Sequence, residues 1–207
     1  MKAQVHDLLR VDPESMSTGG TAELAWVKDA LASSPWVVVR RDKAPEDRIA
    51  VGVRGATRGD RWGGSIAKDQ IQGIARPEEL LLLHRSSRSV PRTPALKALR
   101  QVDERWCHLT FPWGPAGSVG FELATGQFST NDSSDLDLII RAPVPISRER
   151  ARSLWERTHG LAVRVDVRVE TPCCGFSLEE YAGVSSSGIL LRYPDGPKLG
   201  ADPWREQ

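Results

Sequence analysis

The residues whose types and spacing could do chemistry are Gly117-Ser118, Asp135-x-Asp137 and Asp166. Residues two apart on a strand project to the same side. In Asp135-Leu136-Asp137-Leu138-Ile139-Ile140-Arg141 the two carboxylates therefore share one face, and Leu136 and Leu138 take the opposite, buried one. A second alternating run, Val163 to Val169, puts valines on one face and Arg164, Asp166 and Arg168 on the other, so Asp166 supplies a third carboxylate if the two strands are neighbours. Three facing carboxylates repel and raise one another's pKa unless divalent cations neutralise them. Such a cluster suits two magnesium-like ions about 4 Å apart, which activate an attacking oxygen and stabilise a leaving phosphate. Gly117-Ser118 at a helix start adds backbone N–H groups and a hydroxyl for anionic phosphates, with glycine allowing close approach. An isolated Asp-x-Asp strand is more often solvated surface, and arginine neighbours could turn Asp166 into a cross-strand ion pair; it is the three motifs together that point to a metal-dependent site. Gly63-Gly64-Ser65 is a decoy, because Asp69 follows too soon and no Asp-x-Asp strand succeeds it.

These residues need elements to hold them. A helix over 95–102 has Leu96, Leu99 and Val102 on one face, and 121–125 reads as a short helix closed by Gly126. Ser147 caps a helix with Ala151, Leu154 and Trp155 on one side, Ser177 with Glu180 spells a capping box, and 188–193 is a last strand. Upstream, a helix over 22–33, strands at 36–40 and 48–54, a glycine- and arginine-rich loop over 55–64 and a helix from Pro77 to Leu83 make a smaller unit. The serine- and proline-rich stretch 84–94 reads as an exposed connector. The expected organisation is an α+β N-terminal domain over 1–90, then a catalytic domain over 95–207 whose mixed α/β sheet bears the carboxylates and is flanked by helices.

Composition narrows the function. Lys plus Arg number 28 against 27 Asp plus Glu, for a formal net charge of +1, without the cationic surplus of a general nucleic-acid binder. The excess is local: residues 40–92 hold 12 basic against 7 acidic side chains, and Arg54, Arg58 and Arg61 flank loop glycines where they could meet phosphates. No apolar run approaches the roughly 20 residues of a membrane span, and residues 1–10 lack a secretory apolar stretch, so a cytoplasmic protein is expected. Three cysteines, Cys107, Cys173 and Cys174, read as reduced structural thiols, Cys107 in the core. The four histidines stand at no metal-ligand spacing.

A Gly-Ser turn, an Asp-x-Asp strand and a distant third carboxylate resemble the nucleotidyltransferase superfamily. The surrounding words resemble one branch of it: Trp-Gly-Pro-Ala-Gly-Ser-Val-Gly-Phe-Glu-Leu-Ala-Thr-Gly at 113–126, Ser-Asp-Leu-Asp-Leu at 134–138, Val-Asp-Val-Arg-Val-Glu-Thr-Pro at 165–172 and Asp202-Pro203-Trp204. Pro35 to Arg41 and Val51 to Gly55 extend the likeness to the N-terminal part. The branch is the malonate decarboxylase holo-acyl-carrier-protein synthases, the phosphoribosyl-dephospho-CoA transferases. That resemblance implies triphosphoribosyl-dephospho-CoA as donor, a serine of the apo acyl-carrier subunit of malonate decarboxylase as acceptor, and pyrophosphate as leaving group, with neither nucleic acid nor membrane as partner. It casts Asp135 and Asp137 as ligands of a pair of magnesium ions (Mg2+), and Asp166 as third ligand or base. Gly117, Ser118 and Ser134 would hold the phosphates. Of seven tryptophans most read as core anchors, and Trp113, beside the Gly-Ser turn, is the candidate to stack on the donor's adenine. Cys173-Cys174 departs from the small residues expected after Thr171-Pro172. Two other readings share the fold: transfer to a small-molecule hydroxyl, and a non-catalytic nucleotide-binding module.

Overall fold

β-branched and apolar alternation builds the first unit. In the computed structural model, which describes residues 2–13, 25–55, 59–87, 89–183 and 188–205, the chain divides into Met1–Arg76 and Pro77–Gln207. The first unit holds strands β1 (Leu8–Val11), β2 (Trp36–Val39), β3 (Arg48–Arg54), β4 (Arg61–Ala67) and β5 (Ile71–Ala75), with helix α1 (Ala25–Ser33). They form one antiparallel sheet in the order β4-β3-β2-β1-β5. Val37 and Val39 alternate inward on β2 and join Leu9, Val51, Val53 and Ile66 beneath Val27 and Leu31 of α1. Residues 22–24 of the expected first helix, and Arg58, lie outside the described residues.

The expected loop over 55–64 is in part a strand, β4, paired with β3 from Arg48↔Ala67 to Arg54↔Arg61. Its glycines are packing positions rather than loop punctuation. A Cβ on Gly63 would overlap Nη1 of Arg40, whose side chain crosses the hairpin there.

The second unit begins at Pro77, ahead of the connector on which the sequence suggested a boundary. Helix α2 (Pro77–Ser86) packs inside this unit: a Cβ on Gly114 would overlap the carbonyl oxygen of Pro77, so only glycine lets the strand reach the helix start. Glu78 adds an ion pair with Arg141 at 3.2 Å. Helix α3 (Pro94–Arg105) follows, capped by Thr93, and buries Leu96, Leu99 and Val102 as the spacing predicts. Next come β6 (Trp113–Pro115), α4 (Gly117–Thr125), β7 (Leu136–Arg141), α5 (Arg148–Glu156), β8 (Val165–Glu170), β9 (Gly175–Ser177), α6 (Leu178–Ala182), β10 (Ile189–Tyr193) and β11 (Gly196–Gly200).

These strands make a six-stranded mixed sheet, β11-β10-β9-β8-β7-β6, in which β7 and β8 are the parallel pair. A parallel pair needs a crossover, and α5 supplies it. Ser147 caps α5, accepting from the Arg150 N–H at 3.2 Å. Leu136, Leu138 and Ile140 of β7 are fully buried beside Val167 and Val169 of β8, Leu99 and Val102 of α3, and Ala151 and Leu154 of α5.

Two local expectations differ. Ser177 precedes α6 but its side chain makes no capping bond, and Glu180, the reciprocal partner of a capping box, accepts from the Leu190 N–H at 3.2 Å. Cys107 is exposed just past α3 rather than in the core, while Cys174 is buried. Among the described residues no helix is long and apolar enough to cross a membrane.

Candidate functional site

The parallel register of β7 and β8 places Asp137 directly opposite Asp166. Adjacent strands in register project matching side chains to the same face, so these two carboxylates stand together, while Asp135 lies just before β7 begins and is not gathered with them. The opposite face carries Leu136 and Leu138 into the core, so the apolar contacts fix which way the aspartates point. Asp166 also carries Arg168, whose Nη2 donates to its Oδ2 at 2.9 Å. The arginine alternative raised by the sequence is therefore real, but it runs along the strand and uses one oxygen.

Gly117 brings the helix to the carboxylates. Its φ of +55° lies in the left-handed region, and a Cβ there would overlap Oδ2 of Asp137. Glycine is thus required twice at one position, by conformation and by contact. The Ala116 N–H donates to the Asp137 carbonyl at 2.9 Å, and the first helical bond of α4 runs from the Gly120 N–H to the Ala116 carbonyl. The N–H groups of Gly117, Ser118 and Val119 precede that bond at the positive end of the helix dipole, where an anionic phosphate is stabilised.

Among the described residues, no three His, Cys, Asp or Glu side chains are gathered into a ready-made metal cage. The donor set still fits magnesium, which dehydrates reluctantly and is usually held by one or two carboxylates, with water and substrate phosphate completing its octahedron. Asp135 and Asp137 are the residues that could supply hard oxygens, and Oδ1 of Asp166 lies outside its bond with Arg168.

The remaining predicted site residues fare differently. Ser134 closes a turn: its hydroxyl accepts from the Asn131 N–H at 3.0 Å and its own N–H donates to the Asn131 carbonyl at 3.1 Å, which shapes the approach to Asp135. Trp113 is only 4% exposed and meets Trp106 edge-on at 4.9 Å. It is a core anchor and has no face to offer a base, a correction to the stacking expectation. Arg54 and Arg61 are cross-strand partners at one end of the β3–β4 hairpin in the first unit, both exposed.

Sequence reasoning missed the bracing of α4. Glu122, 9% exposed, accepts from the Thr130 hydroxyl at 2.7 Å and N–H at 2.8 Å, from the Ser129 N–H at 3.0 Å, and from Arg92 at 2.9 Å. Burial pushes its carboxyl pKa up, but the bonds from Thr130, Arg92 and Ser129 outweigh it and hold the value below the usual carboxylate range. This network ties the helix that carries Gly117 to the loop that leads into Asp135. A lone Glu inside an otherwise apolar helix, Phe121-Glu122-Leu123, was the available signal. The motifs at 165–172 and 202–204 also meet: the Thr171 hydroxyl and Cys174 Sγ donate to the Pro203 carbonyl at 2.9 and 3.3 Å, and Trp204 Nε1 donates to the Ala142 carbonyl at 2.9 Å. Cys173-Cys174 belongs to this staple and stands away from the carboxylate end of β8.

The chain is a two-unit α+β protein with paired carboxylates on a mixed sheet beside a glycine-led helix start. Residues 81–203 match the phosphoribosyl-dephospho-CoA transferase MdcG C-terminal domain and residues 4–77 the corresponding MdcG N-terminal domain. The chain belongs to the phosphoribosyl-dephospho-CoA transferase family. It is similar to phosphoribosyl-dephospho-CoA transferases of Pseudomonas putida, 38% identical over 199 residues that cover 96% of this chain and 94% of the relative, and of Pseudomonas fluorescens strain Pf0-1, 40% identical over 182 residues that cover 88% and 86%. One from Azotobacter vinelandii is 36% identical over 206 residues, 98% of this chain and 95% of the relative. No solved structure matches the chain.

Proposed function

We propose that this protein transfers phosphoribosyl-dephospho-CoA from triphosphoribosyl-dephospho-CoA to a serine hydroxyl of the apo acyl-carrier subunit of malonate decarboxylase, releasing pyrophosphate. Family membership supports the transferred group, and the observation that carries the reaction type is the seat of Gly117 against Asp137 beside Asp166. Phosphates bound at the Gly117-Ser118 N–H groups lie next to the carboxylate face, so the α-phosphorus and the acceptor oxygen can be brought in line. The serine oxygen forms the new P–O bond as the bond to the pyrophosphate oxygen breaks. The serine proton passes to Oδ1 of Asp166, while Arg168 holds Oδ2 and fixes the carboxylate plane. Magnesium, held by Asp135 and Asp137, would supply positive charge for the triphosphate and the leaving pyrophosphate. The roles of Arg54 and Arg61 in this reading are limited to attracting the polyanionic donor.

The test is incubation of the full chain with magnesium, donor and apo carrier, read by intact mass. The carrier gains the mass of the prosthetic group, chelation with EDTA stops the gain and added magnesium restores it. A carrier of unchanged mass in the complete mixture removes the proposal, and undiminished transfer in EDTA removes the metal from it.

A further inference from the structure

The second unit carries an open cavity of about 470 Å³ between α5 and the segment 105–109 at the end of α3. Its wall is basic: Arg105, Arg150 and Arg157 line it with His108, and Glu149 is the one carboxylate in the lining. Among the described residues none of these three arginines forms an ion pair. Arg105 and Arg157 are instead anchored on each other's main chain. Arg105 Nη1 donates to the carbonyls of Arg157 at 2.9 Å and His159 at 2.8 Å, and Arg157 Nη1 donates to the Arg105 carbonyl at 2.6 Å. Neutral acceptors thus hold two cations at one end of the cavity and leave Nε and Nη2 of each unspent. Arg150 makes no side-chain hydrogen bond among the described residues; its guanidinium stands 5.8 Å from the Phe111 ring centroid. Guanidinium groups fixed without a counter-ion are forks ready for carboxylate or phosphate oxygens.

Spacing selects between those anions. Ser147, Arg150, Ser153 and Arg157 line the cavity at the three- and four-residue steps of one helix face, so it runs along α5 as a groove. Arg150 and Arg157 are two turns apart, roughly 10 Å. A single phosphate or diphosphate is too short to meet both, whereas acidic side chains two turns apart on a partner helix match them. Glu149, exposed in the lining, opposes a uniformly anionic nucleic-acid backbone, and the chain as a whole lacks a cationic surplus. The direction of α5 adds a second argument. As the crossover between parallel β7 and β8 it runs back against both strands, so its Arg157 end lies at the end of the sheet where they begin. Asp137 and Asp166, the second residues of β7 and β8, stand at that same end.

We propose that this groove docks an acidic helical face of the protein that presents the acceptor hydroxyl, with one carboxylate on Arg150 and another on Arg105 and Arg157. That this protein is the carrier subunit rests on the reaction proposed above. From Ser147 to Arg157 the groove extends roughly 15 Å, less than the footprint of about 800 Å² that each partner gives to a stable complex. It is the charged anchor of that footprint, setting the orientation and rate of encounter.

The experiment compares the full chain with Arg150→Glu, Arg157→Glu and, as control, Arg152→Glu, which makes the same charge change at an exposed α5 position outside the lining. Arg150 is exposed and its side chain unbonded, so Arg150→Glu should keep the wild-type melting curve even if Arg157→Glu, which loses the bond to the Arg105 carbonyl, does not. Arg150→Glu raises the KM for carrier about tenfold or more, an effect that shrinks with added salt, while the KM for donor and kcat stay put and Arg152→Glu stays near wild type. A carrier KM indifferent to Arg150→Glu, an equal rise with Arg152→Glu, or a rise confined to the donor KM overturns the assignment, the last by giving the groove to the donor's phosphates. A short DNA oligonucleotide that binds through Arg150 more tightly than carrier overturns it in favour of nucleic acid. Calorimetric titration with poly-L-glutamate separates the groove from the reaction. Binding that Arg150→Glu weakens and Arg152→Glu spares, without any transfer to carrier, leaves the groove standing and removes the reaction. Transfer whose carrier KM ignores Arg150→Glu does the reverse.

Discussion

Gly117→Ala tests the contact on which the site depends, and its cost can be worked from the geometry. The position has φ +55°, and an L-residue held there loses about 1–2 kcal/mol. The new Cβ would also overlap Oδ2 and lie 2.9 Å from Cγ of Asp137. These atoms sit on a two-torsion side chain whose Cβ is itself 3.2 Å away, so relief requires Asp137 to leave its rotamer, at about 0.5–1.5 kcal/mol more. The sum, about 1.5–3.5 kcal/mol, corresponds to a fall in Tm of roughly 3–14 °C for a protein of this size. Gly126 is the internal control: its φ is +73° and a Cβ added there would meet nothing within 4 Å, so Gly126→Ala costs the backbone contribution alone, roughly 2–8 °C. The difference between the two variants isolates the push on Asp137. A carboxylate displaced by about 1 Å from a reacting phosphate loses on the order of 100-fold in rate, so Gly117→Ala should fall that far in transfer while Gly126→Ala stays near wild type. Thermal melting by circular dichroism and intact-mass turnover check both halves. Equal melting temperatures, or near-wild-type transfer by Gly117→Ala, would refute the claim that glycine is there to seat the helix on Asp137.

Asp135→Asn should keep the wild-type melting curve and abolish transfer, since it removes a proposed cation ligand from a partly exposed position; near-wild-type turnover would take Asp135 out of the proposed metal site. Glu122→Gln should cost about 1–3 kcal/mol at pH 7 by weakening charge-assisted bonds to Thr130, Ser129 and Arg92. Because the folded-state pKa of Glu122 is lowered, its stabilisation is complete above the unfolded value of about 4.3 and is lost as pH falls through the folded value. The Tm gap between wild type and Glu122→Gln should therefore narrow below about pH 4; a gap independent of pH would show that the carboxylate charge is not what holds the loop. Trp204→Ala should destabilise by about 3 kcal/mol, through loss of its edge contacts to Phe176 and Tyr181 and of its bond to the Ala142 carbonyl. A Tm within about 1–2 °C of wild type in differential scanning calorimetry would contradict the staple.

What could be read from the residues was whatever periodicity and local stereochemistry encode. The alternation around Asp135 and Asp137 is visible because Leu136, Leu138 and Ile140 need one buried face. Gly126 announces the end of α4 because the left-handed cap favours glycine. Strand β4 escaped because Gly63 and Gly64 resemble loop residues until Arg40 and Trp62 are seen occupying the space their side chains would fill. Strand β6, three residues with a proline, is too short to show a period. Trp113 looked like a base-stacking residue by its place in the chain, yet Trp106 and the core enclose it.

The sequence by itself determined the carboxylates, the Gly-Ser turn and the faces on which they stand, because those follow from the two-residue repeat of a strand and the conformational freedom of glycine. The tertiary structure decided that Asp137 faces Asp166 across a parallel pair, that Arg168 occupies one oxygen of Asp166, and that Glu122 braces the helix beside them. Strand order, register and the partners of a charged side chain depend on contacts between residues far apart in the chain, and those are fixed only when α5 packs the crossover onto the sheet.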